Sequence, residues 1–125
     1  GAAIGGILLA GGTGKYLNSK HIFSERVNGE MKFRRGFQIE EGTRVLIVED
    51  IVSTGGSIVE LINLLREYKA DLVGVICIVD RSQKNIVFDA RFESLLNFPS
   101  ESWEENECPE WLLKNPIVKP GSTGK

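Results

Sequence analysis

The sequence predicts a single α/β domain, residues 1–125, in which helices flank a central, mostly parallel sheet. Two apolar runs without polar alternation, residues 45–48 and 72–79, are typical of parallel strands that are covered on both faces. Between them, apolar residues recur at helical spacing while polar residues fill the other face. The three segments form a strand, helix, strand unit, whose helical apolar positions are Ile58, Leu61, Ile62, Leu65 and Tyr68.

Composition places the chain among globular domains, because 42% of its 125 residues are hydrophobic. With 15 basic and 17 acidic residues, its formal net charge is -2, which predicts no general nucleic-acid or membrane surface. No apolar run reaches membrane-spanning length. Cys77 and Cys108 form neither a disulfide framework nor a metal-ligand spacing, and a cytoplasmic location is expected.

The first 17 residues admit two predictions. The run I-L-L-A-G-G-T-G-K is compatible with a short strand that enters a glycine loop, and also with the first turns of a helix. Gly11, Gly12 and Gly14 would each cost about 1 kcal/mol inside a helix. The local residues leave both alternatives open.

A strand and a hairpin are predicted ahead of the central strand. Residues 21–25 form the strand, and residues 27–36 form a hairpin-like excursion with its turn at Asn28 and Gly29. A polar turn at residues 40–42 then leads into the central strand.

Further strands are expected beyond the second buried run, at residues 86–92 and 93–98. The stretch from Pro99 onward is predicted to be irregular. Trp103 and Trp111 are expected to pack this stretch onto the domain.

A candidate ligand site follows the first buried strand. Glu49 and Asp50 are expected where that strand leaves the sheet, at the carboxyl end where open α/β sheets place their ligands. The next segment combines hydroxyls with glycines, which let the backbone approach an anion while the amides of the following helix point at it. An acidic pair in solvent and an ordinary helix cap are the alternatives. The segment comprises Ser53, Thr54, Gly55, Gly56 and Ser57.

Basic side chains cluster around the hairpin. Arg26, Lys32, Arg34 and Arg35 flank its turn, and their residue types alone are also compatible with a solvated charged hairpin. His21 has no Cys, His or carboxylate partner at ligand spacing and is expected to be structural.

Residues 45–57, V-L-I-V-E-D-I-V-S-T-G-G-S, resemble the phosphoribosyl pyrophosphate motif of the type I phosphoribosyltransferases. Four further segments are similar, in chain order, to segments of the orotate-using members of that family. The resemblance spans nearly the whole chain, implies the family's Rossmann-like fold and favours a helix in the first 17 residues. The four segments are G-A-A-I-G-G-I at 1–7, F-S-E-R-V-N-G-E-M-K-F-R-R-G-F at 23–37, V-D-R-S at 79–82 and C-P-E-W-L-L-K-N-P-I-V-K-P-G-S at 108–122.

Members of the resembled family carry an N-terminal segment before the point at which this sequence opens. That segment supplies a hood over the base, part of the orotate site and a core strand. The resemblance therefore implies that the N-terminal hood is missing here, and a truncated chain is expected rather than a relative with a reduced fold.

The resemblance also assigns roles to the candidate site residues. It implies that Glu49 and Asp50 hold the 2- and 3-hydroxyls of the ribose and face the carbon where positive charge develops. Residues 53–57 would hold the 5-phosphate, and the loop that contains Ala2 and Ala3 would hold the pyrophosphate.

The basic residues acquire roles in the same way. Pyrophosphate is a concentrated negative leaving group, so loop cations would neutralise it as it departs. Arg26 and Lys32 are the first candidates, followed by Arg34, and Arg35 comes last. Arg81 would contact the pyrimidine base through an orotate carbonyl or carboxylate, with a plain ion pair to a neighbouring aspartate as the alternative.

The activity that the resemblance implies is the Mg²⁺-dependent transfer of a phosphoribosyl group from phosphoribosyl pyrophosphate to orotate, which gives orotidine 5′-monophosphate in pyrimidine synthesis. Mg²⁺ would bind mainly through substrate oxygens and water, so no protein metal cage is expected. A homodimer is implied, because the mobile basic loop of the resembled enzymes reaches the neighbouring subunit's site. No nucleic-acid or membrane partner is expected.

Other function classes fit less well. The run L-L-A-G-G-T-G-K resembles the glycine loop of sugar and isoprenoid nucleotidyltransferases but departs from it at Tyr16, and a P-loop would need glycine at Leu9. A non-catalytic regulator that binds phosphoribosyl pyrophosphate would lose its leaving-group cations, and Arg26 and Lys32 argue against it. A phosphoribosyltransferase for a purine or for uracil fits V-D-R-S less well than one for orotate.

Overall fold

The fold is described by a computed structural model for residues 1–101, 103 and 105–115. The predicted similarity of residues 116–122 to a family tail lies outside the described residues. In chain order the elements are α1 (Gly5–Tyr16), β1 (Ser24–Val27), β2 (Glu30–Phe33), β3 (Arg44–Val52), α2 (Gly56–Glu67), β4 (Asp71–Asp80), β5 (Phe92–Asn97), a 3₁₀ turn (Glu105–Glu107) and α3 (Glu110–Leu113).

The central sheet has three parallel strands in the order β3, β4, β5. Ile47 of β3 lies opposite Val75 of β4, and α2 makes the crossover between these two strands. β1 and β2 form a separate antiparallel hairpin. The predicted α/β class and strand, helix, strand unit are therefore confirmed.

The helix α2 is stabilised by the burial of its apolar face. Ile58 is 1% exposed, and Leu61 and Leu65 are buried beside it. These side chains share one hydrophobic cluster with Ile47 and Val75 of the sheet. Since burying one such side chain contributes about 1.5–3 kcal/mol, packing rather than intrinsic propensity holds this glycine-led helix in place.

The strand β3 is longer than its apolar run suggests. Glu49 and Asp50 were expected where the strand leaves the sheet, but β3 continues through them to Val52. The reason is that β4 extends equally far, so that Ile51 and Val52 still find parallel partners in Val79 and Asp80. The acid pair is thus part of the sheet.

The amino-terminal segment forms a helix, α1, and not a short strand that enters a glycine loop. The helix favoured by the family resemblance is therefore confirmed. α1 packs on β3. A side chain at Gly14 would collide with the carbonyl oxygen of Ser19 and with His21, so this glycine allows the chain to turn back past the helix. Among the described residues, no helix is long and apolar enough to cross a bilayer.

The hairpin has the predicted turn. Val27 pairs with Glu30, and the two turn residues, Asn28 and Gly29, have φ values of 52° and 87°. The strand predicted at residues 21–25 begins only at Ser24. Ser24 is completely buried, and its backbone contacts the amino-terminal loop on one side and Phe33 of β2 on the other.

Two predictions for the later part of the chain are wrong. The strand predicted at residues 93–98 is confirmed as β5, but no strand forms at residues 86–91, where Phe88 turns inward and packs edge-to-face on the Phe92 ring with 5.1 Å between ring centroids. Trp103 and Trp111 pack edge-to-face on each other at 6.0 Å. Trp111 remains 62% exposed and so is not packed onto the domain as expected.

Ile58→Ala is expected to lower the free energy of unfolding by about 3 kcal/mol, because it leaves a cavity between α2 and the sheet. Val59→Ala is the matched control, since the neighbouring Val59 is 48% exposed and should change stability by less than about 1 kcal/mol. Urea unfolding followed by circular dichroism measures both, and equal losses would contradict this description of the core.

Candidate active site

A cavity of ≈ 360 Å³ lies where the carboxyl end of β3 meets the first turn of α1 and the N-terminus of α2. It brings together the acid pair, the hydroxyl and glycine segment, and one basic residue of the hairpin, Arg26. Its lining residues are Ala2, Ala3, Ile4, Gly5, Arg26, Met31, Glu49, Asp50, Ile51, Val52, Ser53, Thr54, Gly55, Gly56, Ser57 and Ile58.

A larger cavity of ≈ 560 Å³ lies beside the first half of β3, and its walls include none of the predicted acidic or phosphate-binding residues. Its lining is largely aliphatic, with Val45, Leu46, Ile47 and Val48 of β3 on one wall. The chemistry therefore places the candidate site in the smaller cavity.

The two adjacent carboxylates line the same cavity but differ in burial, since Glu49 is buried and Asp50 is half-buried. Glu49 is only 7% exposed, and burial raises its pKa to about 7, with the nearby Asp50 carboxylate acting in the same direction. The Glu49 carboxylate also accepts a hydrogen bond from the Asp50 backbone N–H at 3.2 Å. Cys77 lies opposite Glu49, and burial raises the pKa of its thiol to about 11.

Asp50 faces the amino-terminal loop. Its Oδ1 accepts a hydrogen bond of 2.7 Å from the backbone N–H of Ile51. A Cβ on Gly5 would overlap the Asp50 carboxylate, so only glycine permits this approach. Ala2 and Ala3 line the same cavity, and the Ala3 N–H donates to the carbonyl oxygen of Ser24 at 2.9 Å.

The residues predicted to form an anion cradle lie at the N-terminus of α2. Gly55 caps the helix with φ of 78°, a left-handed conformation that favours glycine, and the Thr54 hydroxyl accepts a weak hydrogen bond from the Gly56 N–H at 3.4 Å. In the described part of the chain, the N–H groups of Ser57 and Ile58 have no protein acceptor. Free amides at the positive end of a helix dipole are suited to binding a phosphate.

Of the four predicted basic residues of the hairpin, only Arg26 lines the cavity. Arg26 is ion-paired there with Glu60. Lys32 is paired with Glu30 at 2.8 Å, and neither Lys32 nor Arg34 lines the cavity. Arg35 binds Glu25 and lies over the ring of Phe23, away from the site.

The backbone of Arg81, rather than its side chain, lies next to the candidate site. Its backbone N–H donates to the carbonyl oxygen of Val52 at 2.7 Å, whereas its guanidinium donates to the Ser100 hydroxyl at 2.8 Å. The side chain is not part of the cavity wall. Its predicted contact with the base therefore requires the side chain to leave Ser100.

Gly5 lies in the segment 1–7 that resembles a pyrophosphate loop, but its close approach to Asp50 was not predicted. Two other residues near the site were not found from the sequence. Glu60 and Phe88 carry no local signal, because their relevance comes from contacts with Arg26 and Gly55 that lie far away in sequence. A Cβ on Gly55 would meet the Phe88 ring at 3.0 Å, so Phe88 forms the floor of the cradle.

Comparison with known proteins agrees with this geometry. Residues 13–109 match the model of the phosphoribosyl transferase domain family. The orotate phosphoribosyltransferase of Thermoanaerobacter sp. (strain X514) is 48% identical over 98% of this chain, and that of Thermotoga maritima is 44% identical over 99%. The chain spans 64% and 66% of the length of these two relatives.

Solved structures agree on the fold. An adenine phosphoribosyltransferase from Thermoanaerobacter pseudethanolicus superposes with a TM-score of 0.67 at 19% identity, covering 78% of this chain and 67% of that chain. An orotate phosphoribosyltransferase from Aeropyrum pernix gives 0.63 at 21% identity, covering 77% and 57%. The family match over most of the chain, together with these folds, leads to one conclusion: the chain belongs to the phosphoribosyltransferase family and has its type I fold.

Proposed function

We propose that the protein transfers the phosphoribosyl group of phosphoribosyl pyrophosphate to orotate and releases pyrophosphate and orotidine 5′-monophosphate. The observation that carries this proposal is a single cavity that combines an acid pair, a helix N-terminus with free amides and an arginine. Orotate as the base is supported by relatives named for it at 44% to 48% identity. A place in pyrimidine synthesis and a cytoplasmic location are parts of the same proposal.

The acid pair would act on the ribose. Glu49 and Asp50 would accept hydrogen bonds from the 2- and 3-hydroxyls. As the bond from the anomeric carbon to the pyrophosphate oxygen breaks, its electron pair leaves with pyrophosphate and the carbon becomes positive. Carboxylates that face this carbon stabilise the charge. The orotate ring nitrogen, having lost its proton, then supplies the electron pair of the new bond.

The cradle would hold the other end of the substrate. The free amides of Ser57 and Ile58 and the hydroxyl of Thr54 are available to the 5-phosphate, and the absence of a Cβ at Gly56 leaves space beside the backbone. Fixing the phosphate and the ribose hydroxyls at two points aligns the anomeric carbon for displacement.

The leaving group would be neutralised by cations of the hairpin. Arg26 already lines the cavity beside Ala2 and Ala3. Lys32 and Arg34 are exposed and lie outside it, which suits side chains that serve the site of a second subunit. We therefore retain a homodimer as part of the proposal.

Mg²⁺ fits the residues that are present. Mg²⁺ commonly keeps several waters and binds through substrate oxygens and one or two carboxylates, so the acid pair of the cavity is chemically suited to it. The carboxylates of Glu49 and Asp50 are the protein groups that would hold the hydrated ion or the hydroxyls next to it. When bound, Mg²⁺ would neutralise charge on the pyrophosphate.

Arg81 remains the proposed contact for the base. It follows β4 directly beside Val52, so its guanidinium could exchange the Ser100 hydroxyl for an orotate carboxylate or carbonyl oxygen. A guanidinium matches the planar geometry of such an acceptor.

Asp50→Asn is expected to lower kcat about 100-fold, because the amide keeps the shape of the carboxylate but not its charge. Asp89→Asn is the control, since Asp89 is an exposed carboxylate paired with Arg66 outside the cavity. Orotidine 5′-monophosphate formation, measured with and without Mg²⁺, reports both variants. Tight binding of phosphoribosyl pyrophosphate without turnover in the wild type would contradict catalysis and favour a binding regulator.

Gly5→Ala is expected to lower kcat/KM about tenfold or more with a small change in Tm, because the new methyl group displaces the Asp50 carboxylate. Gly12→Ala is the matched control in the same helix, where a Cβ meets no atom within 4 Å. It should keep activity and gain up to about 1 kcal/mol of stability. A Gly5→Ala variant with full activity would refute the close approach to Asp50.

The raised pKa of Glu49 predicts a pH-dependent stability. An unfolded glutamate titrates near pH 4.3, so folding favours the protonated form, and this contribution is complete at low pH and is lost as the pH rises through 7. Of the order of 3 kcal/mol of unfolding free energy should disappear between pH 4.5 and pH 8. Urea unfolding across this range should show a shallower fall in Glu49→Gln, and parallel curves would disprove the shift.

A further inference from the structure

The guanidinium of Arg26 is held at two points. Its Nη1 donates to the carbonyl oxygen of Gly29 in the hairpin turn. Its Nη2 donates to Glu60 Oε1 at 3.0 Å and lies 2.9 Å from Oε2. Glu60 belongs to α2 and is 34 residues away in sequence. A carboxylate that does not itself line the cavity therefore fixes an arginine that does.

We infer that Glu60 is a positioning residue, which holds the Arg26 guanidinium at the edge of the cavity so that its remaining N–H groups bind pyrophosphate. The inference rests on the proposed function and adds to it a residue whose role is exerted through another. An arginine uses two of its donors here, and in the described part of the chain the other donors of Arg26 have no partner.

The ion pair between Arg26 and Glu60 is expected to contribute little to the stability of the fold. The side chains of Arg26 and Glu60 are 46% and 42% exposed, and ion pairs at such exposure contribute little to folding. A free arginine side chain, in contrast, loses considerable conformational freedom when a ligand immobilises it. Fixing the side chain beforehand reduces that loss, so the pair acts on ligand binding more than on folding.

The pair also joins the two elements on either side of the cavity. Phe33 of the hairpin packs edge-to-face on Tyr68 at the end of α2, with 5.6 Å between ring centroids. Arg26 and Glu60 connect the hairpin to α2 at a second place, closer to the cradle. The ion pair therefore adds to the contacts that orient the hairpin relative to α2.

The negative charge of Glu60 and its proposed positioning role predict opposite effects on pyrophosphate binding when Glu60 is replaced. A negative side chain near an anionic ligand opposes its binding, so removal of the charge alone would tighten pyrophosphate binding. If Glu60 positions Arg26, its removal must weaken that binding instead. The direction of the change therefore separates the two effects.

The test is calorimetric titration of the full-length protein with inorganic pyrophosphate in the presence of Mg²⁺. Glu60→Ala is expected to weaken binding about tenfold. Glu60→Gln should weaken it less than about threefold, because the amide oxygen still accepts a hydrogen bond from Arg26. In a double-mutant cycle, Arg26→Ala with Glu60→Ala should bind no more weakly than Arg26→Ala alone. Glu41→Ala, which removes the same charge from the exposed pair with Lys69, should bind like the wild type.

Unchanged or tighter binding in Glu60→Ala would overturn the inference, as would additive losses in the double variant. Two results would overturn both the positioning role of Glu60 and the pyrophosphate-binding role of Arg26. One is an Arg26→Ala variant that binds like the wild type, and the other is a wild type that does not bind pyrophosphate. Orotidine 5′-monophosphate formation is measured separately on the wild type. Pyrophosphate binding without turnover would contradict the proposed activity, while the binding cycle would still decide the role of Glu60.

Discussion

The parallel pairing of β3 with β4 continues past Glu49 and Asp50, and the candidate site depends on this extension. Both residues belong to the paired strand, and both line the cavity at its carboxyl end. Glu49 is buried opposite Cys77, whereas Asp50 faces the glycines at the start of α1. In a solvent-exposed loop the same two carboxylates would have been nearly equally exposed to water. Pairing within the sheet buries Glu49 more than Asp50.

Under the proposed function, the burial of Glu49 favours folding of the protonated form while catalysis would use the ionised form. The ionised carboxylate is the form that can face a positive reaction centre, and it is also the form that burial disfavours. A site of this kind reaches its active charge state at some expense of stability, which is a common compromise in enzymes. The anion cradle has no such conflict, since its free amides of Ser57 and Ile58 are neutral and lie at an accessible helix terminus.

Much of the fold was predictable because its signals are local. The spacing of Ile58, Leu61 and Leu65 specified α2, and the pair of Asn28 and Gly29 specified the hairpin turn. The end of β3 was not predictable, because it depends on how far β4 extends beside it. Residues 86–91 begin with an apolar run that favours a strand, yet Phe88 packs against Gly55 and Phe92 instead.

The same distinction holds within the candidate site. The acid pair and the cradle are contiguous in sequence, so their pattern was sufficient to find them. The partners that orient them come from distant positions, and no local pattern identifies Glu60 or Phe88. The floor that Phe88 forms under Gly55 has a consequence for protein engineering. The segment 45–57 is not a portable phosphate-binding module, because grafting it onto another scaffold would leave the supporting aromatic ring behind.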